Sequence, residues 1–85
     1  MELVWQTNAG EDYLYWQKTD IHILSRINDL IKDRLRSPFK GMGKPEPLKG
    51  NYAECWSRRI NDEHRLVYKV SADKLHILQC RFHYK

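Results

Sequence analysis

The stretch that most constrains the fold is residues 56–83, where apolar and polar side chains alternate in three short runs separated by tight turns. The alternation predicts strands over 56–60, 64–70 and 74–83. Connections this short join antiparallel neighbours, because a parallel crossover needs a dozen or more residues. The C-terminal half is therefore predicted to be an antiparallel sheet.

Successive side chains of a strand point to opposite faces of a sheet, so these strands divide into two sets. One parity is mostly apolar and is expected to face the helices: Trp56, Ile60, Leu66, Tyr68, Val70, Leu78, Cys80 and Phe82. The other parity places basic or titratable side chains on a common outer face: Arg59, Arg65, Arg81 and His83. Arg58 shares the apolar parity, and is expected at an edge or with its charged end reaching water.

A short strand at residues 3–5 and two helices are predicted ahead of the sheet. Thr7 or Asn8 is the expected N-cap of the first helix and Asp20 that of the second. The second helix ends at Ser37, because the residue before a proline avoids the helical region. Its expected core stripe is Ile23, Leu24, Ile27, Leu30, Ile31 and Leu35, with Ser25, Asn28, Asp29, Lys32, Asp33 and Arg36 left mostly to water.

Together these elements predict one α+β domain over residues 1–85, in the order β-α-α-β-β-β. Both helices are expected to pack on one face of an antiparallel sheet, leaving the other face open. A chain of this length buries a little over ~60% of its unfolded surface, so a homodimer or a protein partner is expected to add stability.

The loop over residues 39–50 holds a stiff carboxylate. Pro45 and Pro47 fix φ on both sides of Glu46 and bias Glu46 itself to an extended conformation. RNA cleavage by its own 2′-hydroxyl needs a base, an acid for the leaving oxygen, and cations for the charge on the phosphate. Glu46, His83 and the arginines supply these chemical types.

Parity alone does not decide whether Glu46 and His83 reach one phosphate. The same basic face also suits a module that binds RNA or the ribosome and blocks translation without cutting. Glu46 with His83 separates the two interpretations, since binding alone does not need that pair. Both interpretations stay open at this point.

Charge is distributed unevenly along the chain. Residues 1–39 carry five Lys/Arg against six Asp/Glu, whereas residues 40–85 carry ten against five, and the pI is near 9.2. This asymmetry favours an anionic partner, RNA or DNA, for the C-terminal half. No apolar run approaches the roughly 18 residues of a membrane helix, so no membrane partner is expected and the predicted location is the cytoplasm.

Metal and DNA binding are both disfavoured. Cys55, His64, His76, Cys80 and His83 are metal-ligand types, but no two have the close spacing of zinc ligands, so no metal or cofactor is predicted. In a reducing cytoplasm the two cysteines are expected to be free thiols. No helix carries an exposed basic recognition face, so any DNA contact is expected to come through a partner.

Five segments, in the same order along nearly the whole chain, resemble one known family. They are 12–16 (DYLYW), 43–49 (GKPEPLK), 56–60 (WSRRI), 63–68 (EHRLVY) and 80–84 (CRFHY). The sequence is similar to the YoeB (Txe) toxins, a branch of the RelE-like messenger-RNA interferases of type II toxin–antitoxin systems.

The resemblance implies a RelE-like fold, cleavage of messenger RNA in the ribosomal A site, and neutralisation by a YefM/Phd-like antitoxin. Carried over to this sequence, it implies that Glu46 is the general base, His83 the general acid, and Arg65 the residue that stabilises charge on the phosphate. Supporting substrate contacts are expected from Lys49, Arg59 and Tyr84, and the parity argument adds Arg81.

Overall fold

The computed structural model describes residues 1–83. Its elements are β1 (Glu2–Trp5), α1 (Thr7–Thr19), α2 (Ile21–Arg36), β2 (Glu46–Pro47), a short 3₁₀ helix (Gly50–Tyr52), β3 (Trp56–Arg59), β4 (Arg65–Ser71) and β5 (Lys74–Gln79). The α+β class and the position of the two helices ahead of the C-terminal strands are as predicted. No helix within residues 1–83 has both the length and the apolar character needed to cross a membrane.

The sheet is mixed, so the prediction of an antiparallel sheet is wrong for one pair of strands. Its order is β1-β5-β4-β3-β2, in which β1 runs parallel to β5 and the other neighbours are antiparallel. The two helices and three intervening strands between β1 and β5 form a connection long enough for a parallel pair. The two-residue strand β2 was not predicted, and it brings Glu46 to the sheet edge.

A β-bulge at Leu78 changes the direction of the side chains along β5. Val67 pairs with Gln79 while its neighbour Tyr68 pairs with Ile77, so Leu78 is the extra residue. Before the bulge Leu75 and Ile77 face the helices, and after it Cys80 does.

The predicted helix-facing positions of Leu78 and Phe82 are wrong, whereas Val70 is on the predicted face, since it pairs with the buried, helix-facing Leu75. Leu78 packs on the opposite face of the sheet, Val70 lies exposed near the end of β4, and Phe82 is 52% exposed beyond the end of β5. Because Leu78 is the extra residue of the bulge, the alternation that is correct at Cys80 fails at Leu78.

The main core lies between the helices and the sheet. Its buried members include Trp16, Ile27, Leu30, Tyr68 and Ile77. Asp20 caps α2 as predicted, since its Oδ1 accepts hydrogen bonds from the backbone N–H groups of His22 and Ile23. Neither Thr7 nor Asn8 caps α1; the N-cap is Gln6, whose side chain makes no capping bond.

The predicted faces of α2 fail at two positions, Asp33 and Leu35. Asp33 is 8% exposed although it was expected in water, and Leu35 is 48% exposed although it was expected in the core. Asp33 turns inward because Arg58 Nη1 donates a hydrogen bond to Asp33 Oδ2 at 2.8 Å. The prediction that Arg58 lies at an edge or extends its charged end into water is also wrong, because the residue is fully buried.

The second face of the sheet is only partly open. Leu48, Cys55 and Val67 form a small buried cluster there, with Tyr52 and Leu78 packed against it. The segment around the 3₁₀ helix thus covers the middle of this face, and the polar residues near the ends of β3 and β4 remain accessible beside it.

Gly43 joins the loop to the core, and we expect Gly43→Ala to destabilise the fold. Its φ is +79°, and an added Cβ would meet Leu30 Cδ2 at 2.8 Å and Arg59 O at 3.0 Å. Overpacking of this kind costs about 1–3 kcal/mol in the free energy of unfolding, measurable by urea titration. Gly50→Ala is the control, because Gly50 has a similar φ of +65° and open space around it. Equal losses in the two variants would mean that crowding at Gly43 contributes nothing.

Candidate active site

The site is built on two neighbouring rows of side chains that cross the sheet. Glu46 pairs with Ser57, and Ser57 pairs with Val67, so these residues form one row. Arg59 pairs with Arg65 two residues further along the same strands and therefore on the same face. Directly opposed residues lie about 4.5–5.5 Å apart at Cβ, so Glu46 lies beside Ser57, and Arg59 lies beside Arg65 in the next row on the same face.

These rows border a polar cleft of about 190 Å³. Its lining residues are Lys44, Glu46, Ser57, Arg59, Arg65 and His83. Three cations thus share a small space with one carboxylate and one imidazole. Like charges directly opposite each other destabilise a sheet pair, so the Arg59–Arg65 pairing has a cost that a bound anion would remove.

Arg65 is held in a fixed orientation by the turn that precedes β4. The residue is 8% exposed, and its Nη1 donates to the backbone oxygens of Asn61 at 2.7 Å and His64 at 3.1 Å. Within residues 1–83 its Nε and Nη2 have no protein acceptor, so these donors remain for a ligand. A guanidinium oriented before a ligand arrives loses little entropy on binding it.

His83 reaches the cleft because the chain turns sharply after β5. Phe82 adopts a left-handed φ of +64°. Its backbone N–H donates to His64 Nδ1 at 2.7 Å, and its carbonyl accepts from the Arg65 N–H at 3.0 Å. Two bonds to adjacent residues of one segment therefore fix the residue immediately before His83.

The structure separates the other predicted substrate contacts from the cleft. Arg81 lies with its guanidinium 3.6 Å from the centre of the Tyr15 ring on α1, so its predicted place on the common face is wrong. The turn after the bulge directs it toward the helices. Lys49 is exposed at the start of the 3₁₀ helix and does not line the cleft. Tyr84 lies outside the described residues.

Two cleft residues, Lys44 and Ser57, were not among the predicted site residues. Ser57 shares the parity of Arg59, which is the signal that could have identified it. Lys44 has a φ of +51° beside Gly43, and no local pattern predicts that a lysine will point into the cleft from such a turn.

Neither cysteine is suited to nucleophilic chemistry. Burial raises the pKa of the Cys80 thiol to about 12, and burial also raises the pKa of Cys55. A reactive cysteine requires the opposite shift, since the thiolate is the nucleophile. Among residues 1–83, no group of three or more His, Cys, Asp or Glu side chains is arranged to hold a metal ion.

Known proteins of the same architecture identify the class. A family model described as the YoeB-like toxin of bacterial type II toxin–antitoxin systems matches residues 5–84. The toxin YoeB of Escherichia coli K12 is 58% identical over 84 residues, covering 99% of this chain and all of that protein.

Solved structures agree with the sequence relatives. A YoeB/ParE toxin from Agrobacterium tumefaciens superposes with a TM-score of 0.96 at 55% identity, covering 99% of this chain and all of the other. The YoeB chain of a heterotetrameric YoeB–YefM toxin–antitoxin complex from Staphylococcus aureus has a TM-score of 0.90 at 42% identity, covering 99% and 98%.

The fold and the full-length matches define a toxin of a bacterial type II toxin–antitoxin system. Within that class, the chain belongs to the YoeB family.

Proposed function

We propose that this toxin is a ribosome-dependent endoribonuclease that cleaves messenger RNA in the ribosomal A site. The observation that carries the proposal is the cleft itself, where Glu46, His83, Arg59 and Arg65 border one space of about 190 Å³. A carboxylate, an imidazole and guanidinium groups in one small volume are what transesterification at a phosphodiester requires.

Each group has a role that follows from its chemistry. Glu46 takes the proton from the 2′-hydroxyl, and that oxygen attacks the adjacent phosphorus. His83, protonated beforehand, gives a proton to the leaving 5′-oxygen. The products are a 2′,3′-cyclic phosphate and a free 5′-hydroxyl. Arg65 stabilises the charge that develops on the phosphate, and Arg59 and Lys44 add positive potential around it.

The ribosome supplies what so small a cleft lacks. Bringing a 2′-oxygen in line with the leaving oxygen requires the messenger to be held in a bent conformation. We propose that the ribosome imposes that conformation in the cytoplasm, and that basic side chains outside the cleft, such as Lys49, contact ribosomal RNA or the messenger.

A partner that neutralises the toxin completes the proposal. One solved relative is a YoeB–YefM complex and another is a YoeB dimer, both from Staphylococcus aureus. We propose a YefM-like antitoxin for this chain and a homodimer as its unbound form. Any contact with DNA would then come through the antitoxin.

Primer extension tests the function directly. A translated message is mapped after induction of the toxin, beside the same purified message incubated with toxin without ribosomes. We expect cuts that follow the reading frame in the first sample and few in the second. Translation arrest with an intact message would instead identify a blocker that does not cut.

Arg65 tests how the cleft stabilises charge. We expect Arg65→Ala to lower the cleavage rate about 10²–10³-fold, with a much smaller loss of ribosome affinity, because the phosphate gains charge only in the transition state. Arg65→Lys should recover little, since an ammonium cannot bond the Asn61 and His64 carbonyls while also reaching the phosphate. Single-turnover cleavage and ribosome cosedimentation separate the two quantities. Equal losses in cleavage rate and in ribosome affinity would mean that Arg65 contributes to binding alone.

A further inference from the structure

His64 is buried beneath the turn that presents His83. The residue is 6% exposed, and its ring packs edge-on against Trp16 with 4.7 Å between ring centres. It lies outside the set of residues that line the cleft. A buried histidine in such a place could be ordinary packing, but its hydrogen bond indicates a more specific role.

The hydrogen bond selects the tautomer of the neutral His64 ring. Phe82 N–H is a donor, so His64 Nδ1, 2.7 Å away, must carry a lone pair. The proton of the neutral ring is then on Nε2, which lies 3.5 Å from Glu63 Oε1. The acceptor nitrogen of His64 therefore points at the Phe82 backbone, and the contact with Trp16 sets the plane of the imidazole ring.

Phe82, which donates this hydrogen bond, has an unfavourable backbone conformation that its surroundings must stabilise. Phe82 has a φ of +64°, a region that costs a non-glycine residue on the order of 1–3 kcal/mol unless its surroundings impose it. Its side chain is 52% exposed, and its ring contacts the His64 ring and the Arg81 guanidinium. Hydrogen bonds hold its backbone at both ends: the N–H donates to His64 Nδ1, and the carbonyl accepts from the Arg65 N–H and from Gln79 Nε2.

Helix α1 holds the chain two residues before Phe82, through Trp16 and Asp12. The Trp16 Nε1–H donates to the Cys80 carbonyl at 2.8 Å, while Asp12 Oδ2 accepts from the Cys80 N–H at 3.0 Å. Helix α1 thus fixes the chain on entry to the turn, and His64 fixes it on exit. His83 is the next residue along the chain.

We propose that His64 is a positioning residue for the cleavage reaction, acting through the Phe82 backbone to hold His83 against the cleft. The inference rests on the proposed function, because positioning is of use only if His83 acts on a substrate. His64 itself does not touch the reacting atoms.

The closing experiment is a double-mutant cycle between His64 and His83. The proteins are the wild type, His64→Leu, His83→Gln and the double variant, compared by single-turnover cleavage on translating ribosomes at saturating toxin. Leucine keeps the packing volume but removes the acceptor. We expect His64→Leu to slow cleavage roughly 10–10²-fold in the wild type, as for a misplaced catalytic group, with little change in ribosome affinity. In the His83→Gln background it should have almost no further effect.

Two further variants separate positioning from general damage. His64→Asn offers an amide oxygen close to the place of Nδ1, so it should recover most of the lost rate. His22→Leu, at an exposed histidine on α2, should leave the rate unchanged. An equal loss from His64→Leu in both backgrounds would overturn the proposal, since His64 would then act independently of His83.

Amide hydrogen exchange tests the positioning without any cleavage assay. In His64→Leu the Phe82 amide should exchange faster while the amides of Leu66 and Ile77 keep their wild-type protection. An unchanged Phe82 amide would overturn the proposal. Because this measurement is independent of activity, a toxin that fails to cut RNA would refute the proposed function and leave the exchange result to decide the role of His64.

Discussion

His83→Gln and Glu46→Gln are each expected to slow cleavage of ribosome-bound message by about 10²–10⁴-fold, the usual contribution of a positioned acid or base. Glutamine keeps the approximate size of each side chain but removes its ability to carry charge and to exchange a proton. Both residues are exposed, so the free energy of unfolding should stay close to that of the wild type. Single-turnover cleavage, beside urea titration of each variant, measures the two effects separately.

The matched controls are an exposed histidine and an exposed carboxylate outside the cleft. His22→Gln and Glu54→Gln make the same chemical changes away from the lining residues and should cut at the wild-type rate. If His83→Gln or Glu46→Gln cut as fast as these controls, the acid or base role assigned to that residue would be wrong.

The second large effect concerns stability, and it is expected at Arg58. This side chain is fully buried and donates to Ser37 O at 2.7 Å, Asp33 Oδ2 at 2.8 Å and Tyr68 Oη at 3.1 Å. Arg58→Met fills similar volume but removes all three of these hydrogen bonds, and of the two donors to Asp33 Oδ2 only the Met42 N–H remains. Several lost buried hydrogen bonds should lower the free energy of unfolding by at least about 3 kcal/mol.

Arg36 provides the control, because it contacts the same carboxylate from the surface. Its Nη2 lies 3.1 Å from Asp33 Oδ1, and its side chain is 79% exposed. Arg36→Met should therefore cost no more than about 1 kcal/mol, as surface ion pairs do. If Arg36→Met and Arg58→Met lowered the free energy of unfolding by similar amounts, burial of the Arg58–Asp33 pair would add no stability.

The pH dependence of this pair has a definite sign. The hydrogen bond from the Met42 N–H, followed by those from Arg36 and Arg58, lowers the pKa of Asp33 below its ordinary value of 3.8. A depressed carboxyl pKa stabilises the fold above pH 3.8, and that contribution is lost as pH falls through the folded pKa. The stability gap between wild type and Arg58→Met should accordingly narrow under acid conditions.

Local sequence was sufficient for the parts of the site that lie within one element. Alternation along two strands placed Arg59 and Arg65 on one face, and their cross-strand pairing agrees with that prediction. Two prolines indicated an extended Glu46, and it forms a short edge strand. Asp20 and Ser37 marked the limits of α2 correctly. These features depend on φ preferences and on side-chain period, which neighbouring residues largely determine.

Only the tertiary structure decided the features that join distant segments. The parallel β1–β5 pair, the bulge at Leu78 and the inward turn of Asp33 toward Arg58 each depend on contacts between different elements. No local pattern predicts that a charged residue on the apparent water face of a helix will be buried, because its partner lies 25 residues away. Arg81 was misplaced for the same reason, since its stacking partner Tyr15 is on α1.

The position of His83 shows the division most clearly. The sequence alone supplied an imidazole near the end of the last strand, together with a carboxylate and arginines whose chemistry suits it. Its place at the cleft results from a turn at Phe82 held by His64 and Arg65, residues 17–18 positions earlier in the chain. Periodicity ends where a strand ends, so the direction of a chain beyond that point is set by the hydrogen bonds that other elements offer it.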